Sequence, residues 1–381
     1  MNRILLTTSA LAVCATAGFA AGVERSAGAV TILFEEGNWA EFSLGYVDPD
    51  ISGSQAIAAG PTSPAGAESG DIAPSYLQVG AGVKWVLSEQ IEGALIVDQP
   101  IGADVLYGAD TGYLYGGSSA LFGGSVATID SIGITGLLKY NLPNNVSVYG
   151  GLKAVRTEGN VGLFNGYSMS TSSETDLGYI VGAAWEKPEI AARVSLTYSS
   201  AITHDFESSE VTSLGVLDSG FSSTIPQSVT LEGQTGVAAD TLVFGSIRWV
   251  DWSEFDITPP GFASGSGGAS LVSYENDAIT YTLGVGRRFS EEWSGAVLAS
   301  YEAAQGGFSG NLGPTDGSTS LGVAVTRAID NYEITLGARY IWIGDAETEA
   351  PSALGAPAGT TFGQFDDNSG IAVGLKVGYQ F

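Results

Sequence analysis

The closing stretch "IAVGLKVGYQF" alternates without a break. Ile371, Val373, Leu375, Val377, Tyr379 and Phe381 share one side, while Ala372, Gly374, Lys376, Gly378 and Gln380 take the other. "YEITLGARYIW" repeats the pattern, setting Tyr332, Ile334, Leu336, Ala338, Tyr340 and Trp342 against Glu333, Thr335, Gly337, Arg339 and Ile341. A period of two with one apolar side predicts a sheet with one face in an apolar medium. The same reading predicts fourteen strands, near 38–47, 74–86, 91–107, 128–141, 145–157, 174–186, 189–201, 225–235, 240–252, 277–289, 292–302, 317–328, 331–343 and 370–381. Their joins alternate in length. "SEQ", "LPNN" and "IDN" are short, whereas "DPDISGSQAIAAGPTSPAGAESGDIA" and "HDFESSEVTSLGVLDSGFSST" are long. A soluble sandwich has no reason to gather its long loops at one end. A transmembrane barrel does, with short periplasmic turns, long outward loops and an even strand number. Closure also removes the strand edges that a bilayer penalises. The expected fold is all-β: a transmembrane antiparallel β-barrel of 14 strands in the cell outer membrane, a monomer surrounded by membrane lipids and lipopolysaccharide. Aromatics near strand ends (Trp39, Tyr46, Trp85, Tyr140, Trp249, Trp252, Trp293, Tyr340 and Trp342) suit the girdles at the two interfaces.

The chain ends and the composition narrow this further. Residues 1–20 read as a signal peptide, with Arg3 before a short apolar run and small residues Gly18 and Ala20 at a cleavage point. Cleavage there would remove Cys14, the single cysteine, so no disulfide or thiolate chemistry is expected. It would also leave 13 basic against 41 acidic residues, a formal charge of −28, which argues against nucleic-acid partners. No later stretch is long and apolar enough for a transmembrane helix.

By the alternation, Lys84, Lys139, Lys153, Arg193, Arg248, Arg288, Arg339 and Lys376 point into the lumen. Two readings stand. A lipid-facing Lys or Arg costs about 2–4 kcal/mol at mid-membrane, so avoidance of lipid and inward ion pairs would produce this bias. Alternatively the bases meet an anionic head group, with Arg248, Arg339, Lys153 and Lys376 as the candidates. Enzyme chemistry is thin. His204, the one histidine, opens a long outward loop beside Asp205 and Glu207 and reads as a solvated residue. There is no second histidine and no GxSxG elbow, so no catalytic residue, metal or cofactor is expected.

The third strand breaks its own rule. "IVDQPIGADVLY" begins and ends as an apolar strand but carries Pro100 and Gly102 in the middle. Proline has no N–H for the ladder, and a mid-strand glycine marks a bulge or a close backbone approach. Together with "LFEEGNWAEFSLGYVDPDISG", "IPQSVTLEGQTGVAADTLVFGSIRWVDWSEF", "SYENDAITYTLGVGRRF" and "VGLKVGYQF", this segment resembles the long-chain fatty acid channel family, the FadL/TodX-type outer membrane transport proteins. The resemblance spans nearly the whole chain after residue 20. It implies a fourteen-stranded barrel for passive uptake of hydrophobic molecules, closed by a small N-terminal hatch. It also implies sideways release at a kink in strand three, here Asp98, Gln99, Pro100, Ile101, Gly102 and Ala103. One departure is plain. Residues 21–37 are shorter than the usual hatch and lack its Asn-Pro-Ala-type stretch, so either a minimal plug remains or loops such as 48–73 close the lumen.

The resulting expectation is a signal peptide at 1–20, a short plug at 21–37 and a barrel over 38–381. Its partners would be long-chain fatty acids, alkanes or small aromatics. The alternatives are a general diffusion porin and a structural or adhesive surface barrel.

Overall fold

The computed structural model describes residues 23–28, 30–109, 111–117 and 123–381. The signal-peptide reading, with Cys14, lies outside the described residues. Among the described residues fourteen antiparallel strands close a barrel: β1 (Trp39–Asp50), β2 (Tyr76–Val86), β3 (Ile91–Asp98, resumed at Ala103–Leu106), β4 (Val126–Leu142), β5 (Val146–Gly162), β6 (Glu174–Lys187) and β7 (Ala192–Ser199). The second half runs β8 (Ser228–Ala238), β9 (Thr241–Val250), β10 (Ala278–Arg288), β11 (Trp293–Glu302), β12 (Ser318–Ile329), β13 (Tyr332–Ile343) and β14 (Ser369–Gln380). Closure is complete, since β1 pairs β14 from Trp39↔Gln380 to Asp50↔Ser369.

The alternation of the sequence becomes two faces. Outward, Leu152, Leu177, Leu283, Leu321, Leu336 and Ile371 stand more than half exposed, an area of bare hydrocarbon that only lipid can cover. Inward, seven of the basic residues lie buried or largely so, among them Lys84, Lys139, Lys153, Arg193 and Lys376. The molecule is therefore an outer-membrane β-barrel. Its short turns are built from residues that accept positive φ: Asn144 and Asn145 between β4 and β5, Asp240 between β8 and β9, Asp330 between β12 and β13.

Two aromatics leave the expected girdles. Trp39 and Trp252 are buried inside the barrel, whereas Trp85, Tyr140, Trp293 and Trp342 do face outward. Trp39 points inward with Glu41 and Ser43, on the face of β1 opposite Phe42, Leu44 and Tyr46, and its indole lies on Gly378 of β14, where any Cβ would overlap the ring. There it donates from Nε1 to Glu41 at 3.0 Å.

The outward loops are folded as well. Segments Ser54–Gln55, Phe308–Ser309, Ala346–Glu349 and Thr361–Phe365 form a small sheet over the mouth. Beneath it, Tyr107 stacks on Tyr113 at 5.5 Å, and Phe362 meets Tyr113 edge-on at 5.5 Å. The loop expected over 202–224 is instead a hairpin, Ile202–Thr212 with Gly215–Ile225, continuing the wall above β7 and β8. Its outer face (Thr203, Asp205, Glu207, Ser209) is polar and exposed, so it stands beyond the bilayer.

Glu210 ties this hairpin to the loop after β9. Its buried carboxylate accepts from Tyr167 Oη at 2.7 Å, Ser219 Oγ at 2.6 Å, and the backbone N–H groups of Gly261 at 3.0 Å and Phe262 at 2.9 Å. Burial alone would raise its pKa, but the four donors outweigh it and hold the carboxyl below its ordinary value. Glu210→Ala orphans these four donors, each costing about 1–3 kcal/mol where buried. The expected result is loss of amide-exchange protection at Pro260–Ser266 with the barrel strands unchanged. In the parent, this docking is fully present above the ordinary carboxylate range. It is lost only as pH falls through the depressed value.

Candidate functional site: the break in strand three and the N-terminal segment

The site begins where the β2–β3 ladder ends. Pairing runs from Val86↔Glu92 to Ala81↔Val97 and then stops. Beyond it, Tyr76–Gly80 of β2 have no strand-three partner until Leu106 donates its N–H to Ile72 at 2.9 Å. On the other side the β3–β4 ladder skips from Asp98↔Gly133 to Ala103↔Ile129, five chain steps against four, which makes the intervening residues a bulge. The bulge turns inward, so that Pro100 and Ile101 line the lumen. Only the Gln99 side chain reaches back to β2, accepting from the Val79 N–H at 3.0 Å.

The N-terminal segment takes the place of the missing strand on the lumen side. Arg25 and Ser26 both donate their N–H groups to the Pro100 carbonyl, at 3.0 and 3.2 Å, and Gly102 donates to the Val23 carbonyl at 2.9 Å. Glu24 and Ile101 form the bridge between them. Side chains reinforce it: Ser26 Oγ donates to Asp98 at 2.8 Å, Arg25 pairs with Asp104, and the Arg25 guanidinium lies 3.9 Å over the Tyr76 ring. This explains the two ladder-breaking residues. Pro100 needs no N–H because only its carbonyl is used. Gly102 needs no side chain because Arg25 lies across it, and a Cβ would stand 2.5 Å from the Arg25 Nε.

The same segment is held a second time near the periplasmic end. A 3-10 turn, Thr31–Phe34, buries Ile32 and Leu33 against Ala94, Leu137 and Ile180. Lys139 Nζ donates to the Leu33 carbonyl at 3.1 Å and Lys84 Nζ to that of Glu35 at 2.5 Å. Phe34 sits between two cations, 4.8 Å from Lys139 Nζ and 4.4 Å from the Arg193 guanidinium.

The four tentative lumen bases separate. Arg248 pairs with Glu24 of the N-terminal segment and donates to Thr230 at 2.9 Å. Lys376 pairs with Glu41 at 2.8 Å. Lys153 and Arg339, both buried, line a lumen cavity of about 170 Å³ together with Arg248, Pro100 and Ile101. Serine and threonine hydroxyls from β7 to β12 cover much of its remaining wall, including Thr230, Ser246, Thr282 and Ser300. Above it is a smaller cavity of about 60 Å³ with a largely apolar lining: Ile129, Val161, Met169, Phe206, Phe221 and Phe255. Ile101 and Ile225 line both, so the bulge in strand three stands where the two cavities meet.

Nothing in the sequence pattern paired residues 23–26 with the break, because a contact across more than seventy residues leaves no local period. His204 was misplaced for a related reason. It is 1 % exposed rather than solvated, since its strand continues the barrel wall inward-facing side first. Among the described residues no cluster of three or more His, Cys, Asp and Glu could hold a metal ion.

These features define an outer-membrane barrel whose lumen is occupied by its own N-terminal segment. The chain matches no family model, and no curated protein matches it by sequence. Among solved structures, it is similar to a Pseudomonas aeruginosa FadL homologue, with a TM-score of 0.72, 15% identity and 92% of each chain covered. It is also similar to the Pseudomonas putida toluene transporter TodX (TM-score 0.65, 12% identity, 97% of this chain and 98% of that one). A third likeness is to the Ralstonia pickettii toluene transporter TbuX (TM-score 0.57, 15% identity, 92% and 91%). At such identities the likeness establishes a shared fold.

Proposed function

We propose that the protein is an outer-membrane channel for passive uptake of long-chain fatty acids or related hydrophobic compounds. Release is lateral, through the break at Asp98–Ala103, and residues 21–37 act as the plug. The observation that carries this reading is the interrupted wall. A stretch of β2 lacks its ladder partner, faces lipid with Leu77 and Val79, and is backed only by the Gln99 side chain and the segment Val23–Ser26. Sideways release suits a hydrophobic solute. Each CH₂ kept out of water retains about 0.8 kcal/mol, so passage from an apolar cavity into lipid avoids the cost of the periplasm. The fold shared with a FadL homologue and two toluene transporters supports the same reading. Lys153 and Arg339, both buried on the wall of the lumen cavity, are the bases proposed to receive a carboxylate head group there.

The test is uptake of labelled oleate in a host lacking its own fatty acid channel. Expression of this protein should raise uptake well above the vector control. Lys153→Ala combined with Arg339→Ala should lower oleate uptake severalfold and leave hexadecane uptake unchanged. Background uptake of both solutes by folded protein would remove the transport reading. Equal oleate uptake by parent and double variant would remove only the head-group role.

A further inference from the structure

His204 carries chemistry that the transport reading does not use. Its ring lies against Phe206 at 5.5 Å, with Nδ1 2.8 Å from Asp176 Oδ2 and Nε2 3.2 Å from Thr157 Oγ1. The carboxylate only accepts, so it fixes a hydrogen on Nδ1, and in the neutral form of the ring Nε2 presents its lone pair to Thr157. Thr157 then donates its hydroxyl hydrogen to Nε2, which leaves the Thr157 oxygen as an acceptor. Both Thr157 and His204 line the small upper cavity, whose other walls are mostly hydrocarbon. The Thr157 oxygen, with its own hydrogen turned toward Nε2 and its surroundings largely apolar, is suited to a ligand that brings one O–H donor.

Resting on the transport reading, we propose that the upper cavity selects amphiphiles ending in a hydroxyl, specifically aliphatic alcohols, through a hydrogen bond from the ligand O–H to Thr157 Oγ1. Cavity size fixes the shape of the ligand. An apolar cavity of about 150 Å³ takes up a benzene ring, and the upper cavity, at about 60 Å³, is well below that size. It holds the hydroxyl end of an extended chain, while the remainder passes between Ile101 and Ile225 toward the larger cavity below. Asp176 acts as a positioning residue. It fixes the tautomer of His204, and through it the direction of the Thr157 hydroxyl.

The experiment compares 1-octanol with heptyl methyl ether, an isomer that lacks the donor, by calorimetric titration of the protein in nanodiscs with empty nanodiscs as blank. The parent should bind the alcohol about tenfold more tightly, the usual reach of one neutral hydrogen bond. Thr157→Val keeps the size of the side chain and the His204–Asp176 contact. It should bring the ratio to about one while ether binding stays unchanged. Asp176→Asn should reduce the ratio with the fold intact by circular dichroism. Equal binding of the two isomers by the parent, or an unchanged ratio in Thr157→Val, overturns the proposal and leaves the transport reading standing. Binding of neither isomer overturns both.

Discussion

A cross-link between residues 26 and 98 is expected to abolish uptake. In the Ser26→Cys, Asp98→Cys variant the two thiols replace side chains joined by a 2.8 Å hydrogen bond. A disulfide requires Cβ atoms about 3.5–4.5 Å apart, within reach of such a pair after small adjustment. The bond would fasten the N-terminal segment across the bulge, with the backbone N–H groups of residues 25 and 26 still donating to Pro100. Oleate uptake should fall at least tenfold on oxidation and recover on reduction, which separates locking from misfolding. Oxidised protein, verified as cross-linked, that transports as fast as its reduced form would rule out the break as the exit.

The second large effect concerns the Glu24–Arg248 pair. Its side chains are 10% and 14% exposed, and it joins the N-terminal segment to β9 on the far side of the lumen. Removing one partner of a buried pair leaves a charge without compensation, at a cost of about 3–5 kcal/mol. The partial exposure of the pair argues for the lower end of that range. Arg248→Ala should therefore raise the fraction of molecules with the segment displaced by about a hundredfold. In planar bilayers the parent should show little steady conductance and the variant frequent long openings. Glu24→Gln should produce smaller openings of the same kind, because its amide still accepts from Arg248. Steady conductance in the parent itself would favour a general diffusion porin. A variant as silent as the parent would assign closure to the cap of outward loops and to the anchor at Thr31–Phe34.

The two attachments of the N-terminal segment differ in kind. The lower one buries Ile32 and Leu33 and engages two lysines and an arginine around Phe34 and the neighbouring carbonyls. The upper one joins backbone bonds at the bulge to the ion pairs Arg25–Asp104 and Glu24–Arg248 and to the buried Val23. Backbone bonds of this type contribute about 1 kcal/mol net, whereas each buried large apolar side chain contributes about 1.5–3 kcal/mol. The upper contact therefore depends chiefly on its ion pairs and the lower one on apolar burial.

The alternating pattern alone was enough for the barrel, its fourteen strands, the side facing lipid and the inward direction of the basic residues. These follow from a period of two and from the cost of charge in hydrocarbon, both of which act locally along the chain. Pro100 and Gly102 also marked the break in strand three without any knowledge of what lay beside it. The sequence did not reveal the partner of that break, the burial of Trp252, or the burial of His204. Each depends on which surface arrives from elsewhere: Val23–Ser26 against Pro100, Phe255 and Tyr274 around Trp252, and Asp176 and Thr157 on either side of His204. Local periodicity sets which way a side chain points, while only closure of the barrel decides what it meets there.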